Sequence, residues 1–145
     1  MHFDGSFVVA SDRAKVYDFA TDPSKVATVF PDVSEVRVND AEHFLLKAKV
    51  GVSTIKGVMD VKCTVIEKIP LTSVKLKLLA SGLSSAVEME TTFSLEEVSR
   101  AGTRVKWTAD AVVAGLIARM GSRLMDAVAK KYIQQIIESL ERELS

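Results

Sequence analysis

Two histidines, one cysteine, one tryptophan and a series of alternating carboxylates are the residues of this chain best able to do chemistry. A metal centre needs several His, Cys or carboxylate ligands at close spacing. His2 stands at the N-terminus and His43 falls in a turn, and neither has ligand company at helical or hairpin spacing. Covalent catalysis needs a thiol or hydroxyl beside a base. Cys63 lies between Val61 and Val65 on the apolar side of a strand pattern, where burial raises a thiol's pKa and leaves it inert. There is no G-x-S-x-G elbow, and Gly51 and Gly57 bound two strands rather than forming a phosphate loop. Asp60, Glu88, Glu90 and Asp110 fall on the polar side with lysines nearby, which suits solubility and register; Asp110 is also placed to bond backbone in the bend before Gly115. Trp107 is the one inward residue that joins a large apolar body to a donor. It either stacks on or donates to a ligand ring, or anchors the core under the last helix. Thr91 and Thr103 are polar points on the same side, able to orient a carbonyl.

The composition narrows the class. With 145 residues, 48% hydrophobic and 26% charged, the chain has the length and make-up of one globular domain, spanning 1–145. Nineteen basic and nineteen acidic residues cancel, which argues against a general nucleic-acid binder. One cysteine cannot form an intrachain disulfide and suits a reducing, cytoplasmic setting. No apolar run reaches the roughly 18 residues of a membrane span. Met1 to Gly5 has neither the basic start nor the apolar stretch of a signal peptide.

These residues are positioned by a pattern of period two that gives way to a helical one. Phe3, Gly5, Phe7 and Val9 alternate with His2, Asp4, Ser6 and Val8 as a first strand. Ser11 is placed to cap a short helix, and Asp22-Pro23 starts a second, with Asp as cap and Pro at the first helical position. Six strand patterns follow, with inward residues Val36 and Val38; Phe44 to Val50; Met59 to Val65; Val74 to Ala80; Val87 to Leu95; and Val105 to Ala111. One buried and one wet face is the antiparallel signature. Taking Gly82-Leu83 as a two-residue hairpin turn sets Lys77 opposite Glu88, Lys75 opposite Glu90, Leu78 opposite Val87 and Leu76 opposite Met89.

From Leu116 an apolar residue recurs at every fourth position through Met120, Leu124, Val128, Tyr132, Ile136, Leu140 and Leu144. Each such step falls about 40° past a full turn, so the stripe winds round the helix, as a bent helix or one crossing a curved sheet requires. Glu138 and Arg142 are spaced as a helix pair. Arg119, Arg123 and Lys130, with Lys131, form a basic strip that is either a solvated face or a contact for anionic headgroups or an acidic partner. The expected fold is α+β: a seven-stranded antiparallel sheet wrapped around a long C-terminal helix, with two short helices after strand 1. One helix is narrower than such a sheet, so large side chains fill the gap or a cavity remains. The inward residues that would line it are Leu46, Ala48, Met59, Val61, Cys63, Leu76, Leu78, Met89, Thr91, Phe93, Trp107, Ala109, Leu116, Met120 and Leu124.

Four segments resemble the CoxG family of carbon monoxide dehydrogenase subunits. Phe3-Asp4-Gly5-Ser6-Phe7-Val8-Val9 resembles its opening FxGxFxV. Asp22-Pro23-Ser24-Lys25-Val26-Ala27, with Phe30-Pro31-Asp32-Val33, resembles DPxKLAxxxPGV. Val50-Gly51 with Ile55-Lys56-Gly57 resembles VGxxKG. Trp107-Thr108-Ala109-Asp110-Ala111, leading to Gly115 and on to Leu124, resembles WxADAxVxGxLAxLGxRL. The resemblance covers nearly the whole chain in order. It implies the START-like, helix-grip superfamily (SRPBCC), whose members hold apolar molecules between sheet and helix, and some of which are cyclases, hydrolases or interaction modules. For this family it implies a non-catalytic accessory role linking a molybdenum-type carbon monoxide dehydrogenase to the membrane or to a quinone. The expectation is therefore a binder of a quinone- or lipid-like molecule without a cofactor, cytoplasmic or peripheral at the inner membrane face. The alternatives are an adaptor or assembly factor with a filled core and, last, a cyclase- or hydrolase-type enzyme. Asp32 must take a turn where the family has Gly, and Val52-Ser53-Thr54 is expected to lengthen a loop at the cavity mouth. The chain ends at Ser145 where the helix ends, without the family's membrane-attaching extension, so no direct anchor is expected.

Overall fold

The computed structural model describes residues 1–98, 100 and 102–145. Its elements are β1 (His2–Val9), α1 (Arg13–Thr21), α2 (Pro23–Val26), a 3-10 turn (Ala27–Val29), β2 (Val33–Val38), β3 (His43–Val52), β4 (Ile55–Ile69), β5 (Ser73–Gly82), β6 (Ser85–Val98), β7 (Gly102–Gly115), a second 3-10 turn (Ile117–Met120) and α3 (Ser122–Glu143). The seven strands form one antiparallel sheet in the order β1-β7-β6-β5-β4-β3-β2. This is the expected helix-grip arrangement. Among the described residues no helix is long and apolar enough to cross a membrane.

The alternation places Phe44, Leu46, Cys63, Val65, Val74 and Leu76 in one buried cluster with Val26 and Ala27 of the short helices. A second cluster joins Val9, Val16, Phe19, Leu95 and Val105 to Leu144, just past the end of α3. β2 departs from its pattern: as an edge strand it packs Val33 against the core but leaves Val36 and Val38 46% and 44% exposed.

Asp22 caps α2 as expected: its Oδ1 accepts from the Ser24 N–H at 3.0 Å and from the Ser24 hydroxyl at 2.6 Å. The Ser24 hydroxyl bond holds its carboxyl below the usual carboxylate value. Asp32 takes the turn with φ 56. The cap of α1 is Asp12, not Ser11, because Asp12 Oδ1 accepts from Lys15 N–H at 2.9 Å. Ser11 is drawn elsewhere. Its N–H and its Oγ–H both donate to Leu144 O, at 3.1 and 2.6 Å, and its own carbonyl accepts from Thr103 Oγ–H at 2.8 Å. The last carbonyls of a helix lack partners within the helix. Here β1's exit supplies two donors to the end of α3.

Three further expectations are corrected. The β5–β6 turn is Leu83-Ser84, with φ 55 and 53, the geometry of a type I′ turn. Lys77 therefore pairs with Glu90, Lys75 with Thr92, Leu78 with Met89 and Leu76 with Thr91. The two charge pairs still form, as diagonal neighbours: Lys77 to Glu88 at 3.1 Å and Lys75 to Glu90 at 3.7 Å. Gly82 is needed for another reason: with φ 140, a Cβ there would lie 2.8 Å from Val58 O. The β3–β4 connection is a tight turn at Ser53-Thr54, with Val52 paired to Ile55, rather than a longer loop. Finally, α3 begins at Ser122 and not at Leu116. Gly121 has φ 92 and ψ 152, which no helix accommodates, so Leu116 and Met120 precede the helix. Within α3, Glu138 accepts from Gln134 at 3.2 Å and Arg142 donates to Ser139 at 3.1 Å instead of the two pairing with each other.

Candidate functional site

Between the inner face of the sheet and the second half of α3 lies a cavity of about 100 Å³. Its floor comes from β5, β6 and β7, its roof from Ile133, Ile136, Ile137 and Leu140 of α3, and its end wall from Val16, Phe19, Val29 and Phe30 of the short helical segments. The i, i+3, i+4 spacing of the isoleucines points one helical row at the cavity. Yet no residue of α3 is fully buried. The helix rests on the sheet without sinking into it.

Of the inward residues read from the pattern, Leu76, Leu78, Met89, Thr91, Phe93, Trp107 and Ala109 line this cavity. The others do not. Leu46, Met59 and Cys63 are buried toward the β3–β4 side, with Val61 half-buried against that cluster and Ala48 half-buried on the same strands. Leu116 is 39% exposed, Met120 sits in the 3-10 turn, and Leu124 is half-buried in the first turn of α3. The alternation and stripe set the cavity under the start of the last segment; the break at Gly121 moves it toward the other end. The lining residues outside the expected set are Phe7, Leu95 and Val105 of the strands, the C-terminal apolar residues of α3 with Leu144, and the aromatic and aliphatic groups of the short helical segments. Ile133 and Ile137 already widen the apolar stripe, and that width is the available signal.

Two polar side chains face this wall. Thr91 Oγ–H donates to Thr108 O at 2.8 Å and is thereby occupied. Trp107 lies across β1, where it pairs with Gly5. A Cβ at position 5 would fall 2.9 Å from Trp107 Cζ2 and 3.1 Å from Nε1, so the glycine is the seat of the indole. Trp107 Nε1 is buried without an acceptor. Thr103, read as a second orienting point, is fully buried at 0% and spent on Ser11. Cys63 is 1% exposed, and burial pushes its thiol pKa up to about 12. No histidine, lysine, arginine or carboxylate lines the cavity among the described residues.

The remaining titratable groups lie outside. His2 sits on the outer face, with Nδ1 2.6 Å from Asp110 and Nε2 2.9 Å from Asp4; the Asp110 bond and then the Asp4 bond raise its pKa. Asp110 thus bonds His2 rather than the backbone before Gly115. His43 Nδ1 lies 2.8 Å from Asp40, whose carboxyl is held low by the Glu42 N–H and then by His43. Among the described residues no group of three or more His, Cys, Asp or Glu is placed to hold a metal ion. Arg119 lies before α3 while Arg123, Lys130 and Lys131 are on it, and all four are exposed. Lys130 is engaged by Asp126 at 2.9 Å.

Comparison with solved structures places this arrangement. A conserved protein from Geobacillus kaustophilus is 22% identical over 99% of this chain and 95% of its own, with a TM-score of 0.89. The Zhui aromatase/cyclase from Streptomyces sp. R1128 is 15% identical over 99% and 93%, at 0.71. A START superfamily protein from Mycobacterium smegmatis is 12% identical over 99% and 96%, at 0.71. At these identities the likeness shows the fold alone, which is START-like. A comparison with curated proteins finds no match. The family model for the carbon monoxide dehydrogenase subunit CoxG matches residues 5–145, nearly the whole chain, and the protein belongs to that family.

Proposed function

We propose that this chain binds an apolar molecule, quinone- or lipid-like, between its sheet and α3, without catalysing a reaction on it. The observation that carries this reading is the cavity itself: apolar side chains on every wall, with Trp107 contributing the one unengaged polar group among the described lining residues. That no titratable side chain lines that wall among the described residues supports a binder over a cyclase or hydrolase, both of which need a proton donor or acceptor at the reacting atom. Membership of the CoxG family supports an accessory role in a molybdenum-type carbon monoxide dehydrogenase system. We place the protein in the cytoplasm, meeting the inner membrane face peripherally through exposed Arg119 and Arg123 rather than through the paired Lys130.

A cavity of about 100 Å³ is smaller than ligand sites of roughly 300–1,000 Å³. The seating of α3 supports enlargement on binding. The helix is tied at its C-terminal end by Ser11, buries none of its residues fully, and follows Gly121, around which a side chain would meet nothing within 4 Å. Swinging α3 on that tie would widen the space over the sheet without exposing a fully buried side chain of the helix.

The test is a fluorescence titration of Trp107, the only tryptophan, with quinones, isoprenoids and fatty acids. Saturable quenching or a spectral shift by one class is the expected result. A flat response from folded protein refutes the carrier reading and leaves an adaptor with a closed core.

A further inference from the structure

Most buried polar atoms in proteins have hydrogen-bond partners, and an exception asks for a reason. Among the described residues two side-chain atoms are buried without one, Trp107 Nε1 and Gln135 Oε1, and only Trp107 lines the cavity. The other polar side chain on the wall, Thr91, already donates to Thr108 O. The indole cannot retreat toward β1, because it rests on Gly5 where even a methyl would come within 2.9 Å of the ring. A lone water is a poor partner for the N–H. A stably buried water takes two to four polar partners, and this wall offers few.

We infer that the molecule held here carries an oxygen acceptor of the ketone, quinone or ester kind, and that Trp107 Nε1–H is the donor that selects it over a bare hydrocarbon of the same shape. The inference rests on reading the cavity as a ligand site. Gly5 is the positioning residue: by having no side chain it lets the ring lie across β1 and fixes where the N–H sits. Unlike the apolar contacts, which any hydrocarbon would satisfy, this donor distinguishes ligands by chemistry.

The experiment uses acetophenone and cumene, which share a benzene ring and differ by a carbonyl oxygen in place of a methyl group. The full chain has one tryptophan, so its indole N–H gives a single signal in a ¹⁵N–¹H spectrum. Acetophenone is expected to move that proton downfield as it saturates; cumene, whose ring controls for ring-current effects, is expected to bind without that displacement. In Trp107→Phe, acetophenone affinity should fall about tenfold and cumene affinity less than about twofold. Equal downfield shifts with both molecules, or equal losses of both in the variant, overturn the inference while leaving the cavity reading intact. The spectral arm needs no variant and decides the matter if Trp107→Phe does not fold. Failure of both molecules to bind the unaltered chain overturns the cavity reading itself, and this inference with it; binding of cumene without acetophenone overturns the inference alone.

Discussion

Ser11→Ala tests the tie that holds α3 to the sheet. The substitution removes the 2.6 Å bond from Oγ to Leu144 O but leaves the 3.1 Å bond from the Ser11 N–H to the same oxygen. The carbonyl therefore keeps a donor, and the penalty for an orphaned buried group does not arise. What is lost is one buried hydrogen bond, about 1 kcal/mol. For a chain of this size that lowers Tm by roughly 3 °C. Thr103→Val is nearly isosteric, yet it strips the 2.8 Å donor from Ser11 O at a fully buried site, so it should cost more, about 2 kcal/mol. Urea unfolding gives both values, with m unchanged if only native stability moves. Hydrogen exchange supplies the local readout: amides in the last turns of α3 should lose more protection in Ser11→Ala than those of β4, β5 and β6. If Ser11→Ala costs nothing, or if protection falls evenly over the whole chain, the tie is not what seats the helix.

Other expectations follow from single groups. Cys63, with its pKa pushed up to about 12, should resist a disulfide reagent at neutral pH in the folded protein and react fully once urea unfolds it; rapid labelling of folded protein would contradict its placement. The raised pKa of His2 means that the folded state holds this proton more tightly than the unfolded one. Its contribution to stability is therefore complete below the unfolded value of 6.5 and is lost as pH rises through the folded value. An NMR titration of the His2 ring should give a midpoint above 6.5 that drops in Asp110→Asn. Gly115→Ala should cost more than about 2 kcal/mol, because φ is 91 there and a Cβ would lie 2.3 Å from Ser84 O, a backbone atom tied into the β5–β6 turn; an unchanged urea midpoint would show that the turn yields easily.

The strands were legible because inward and outward residues alternate, and the helix because its stripe is long. The register of β5 on β6 was not. Moving the turn from Gly82-Leu83 to Leu83-Ser84 changes each partner by two residues, which keeps every side chain on its own face. Lys77 reaches Glu88 diagonally at 3.1 Å in the observed register and would face it directly in the expected one, so charge matching could not separate the two. Gly82 pointed to the turn but answers to Val58 O on the neighbouring strand. The α1 cap failed for a related reason. Ser11 and Asp12 are both good caps by type, and what takes Ser11 away is a carbonyl at Leu144, a partner that no local pattern contains. The floor of the cavity was readable from β5, β6 and β7, since strand alternation assigns faces. Its end wall was not, because Val16 and Phe19 come from a nine-residue helix and Phe30 follows a 3-10 turn, segments too short to show a period, and their direction is set by tertiary packing.

The cavity itself follows from a mismatch between two periods. Leu124, Val128, Tyr132, Ile136, Leu140 and Leu144 recur every four residues, while the helix turns every 3.6. Each step rotates the stripe by about 40°, so over its length it sweeps roughly 200° around α3. No row of the helix can then face the sheet from end to end. The same fact appears in the structure as a 22-residue helix in which every residue keeps some exposure. Toward the C-terminal end the stripe comes round to meet Val9, Val16, Phe19, Leu95 and Val105, and there Leu144 is fully enclosed. Roughly two to three turns earlier Ile133, Ile136 and Ile137 look down on Met89 and Trp107 across a gap they do not fill. Filling it would take larger groups on the floor, where Ala109 and Thr91 stand instead. A helix that winds its apolar face away from a sheet forgoes packing along the way. In exchange it can be displaced without exposing a fully buried side chain of its own, as a site that must open to admit a molecule requires.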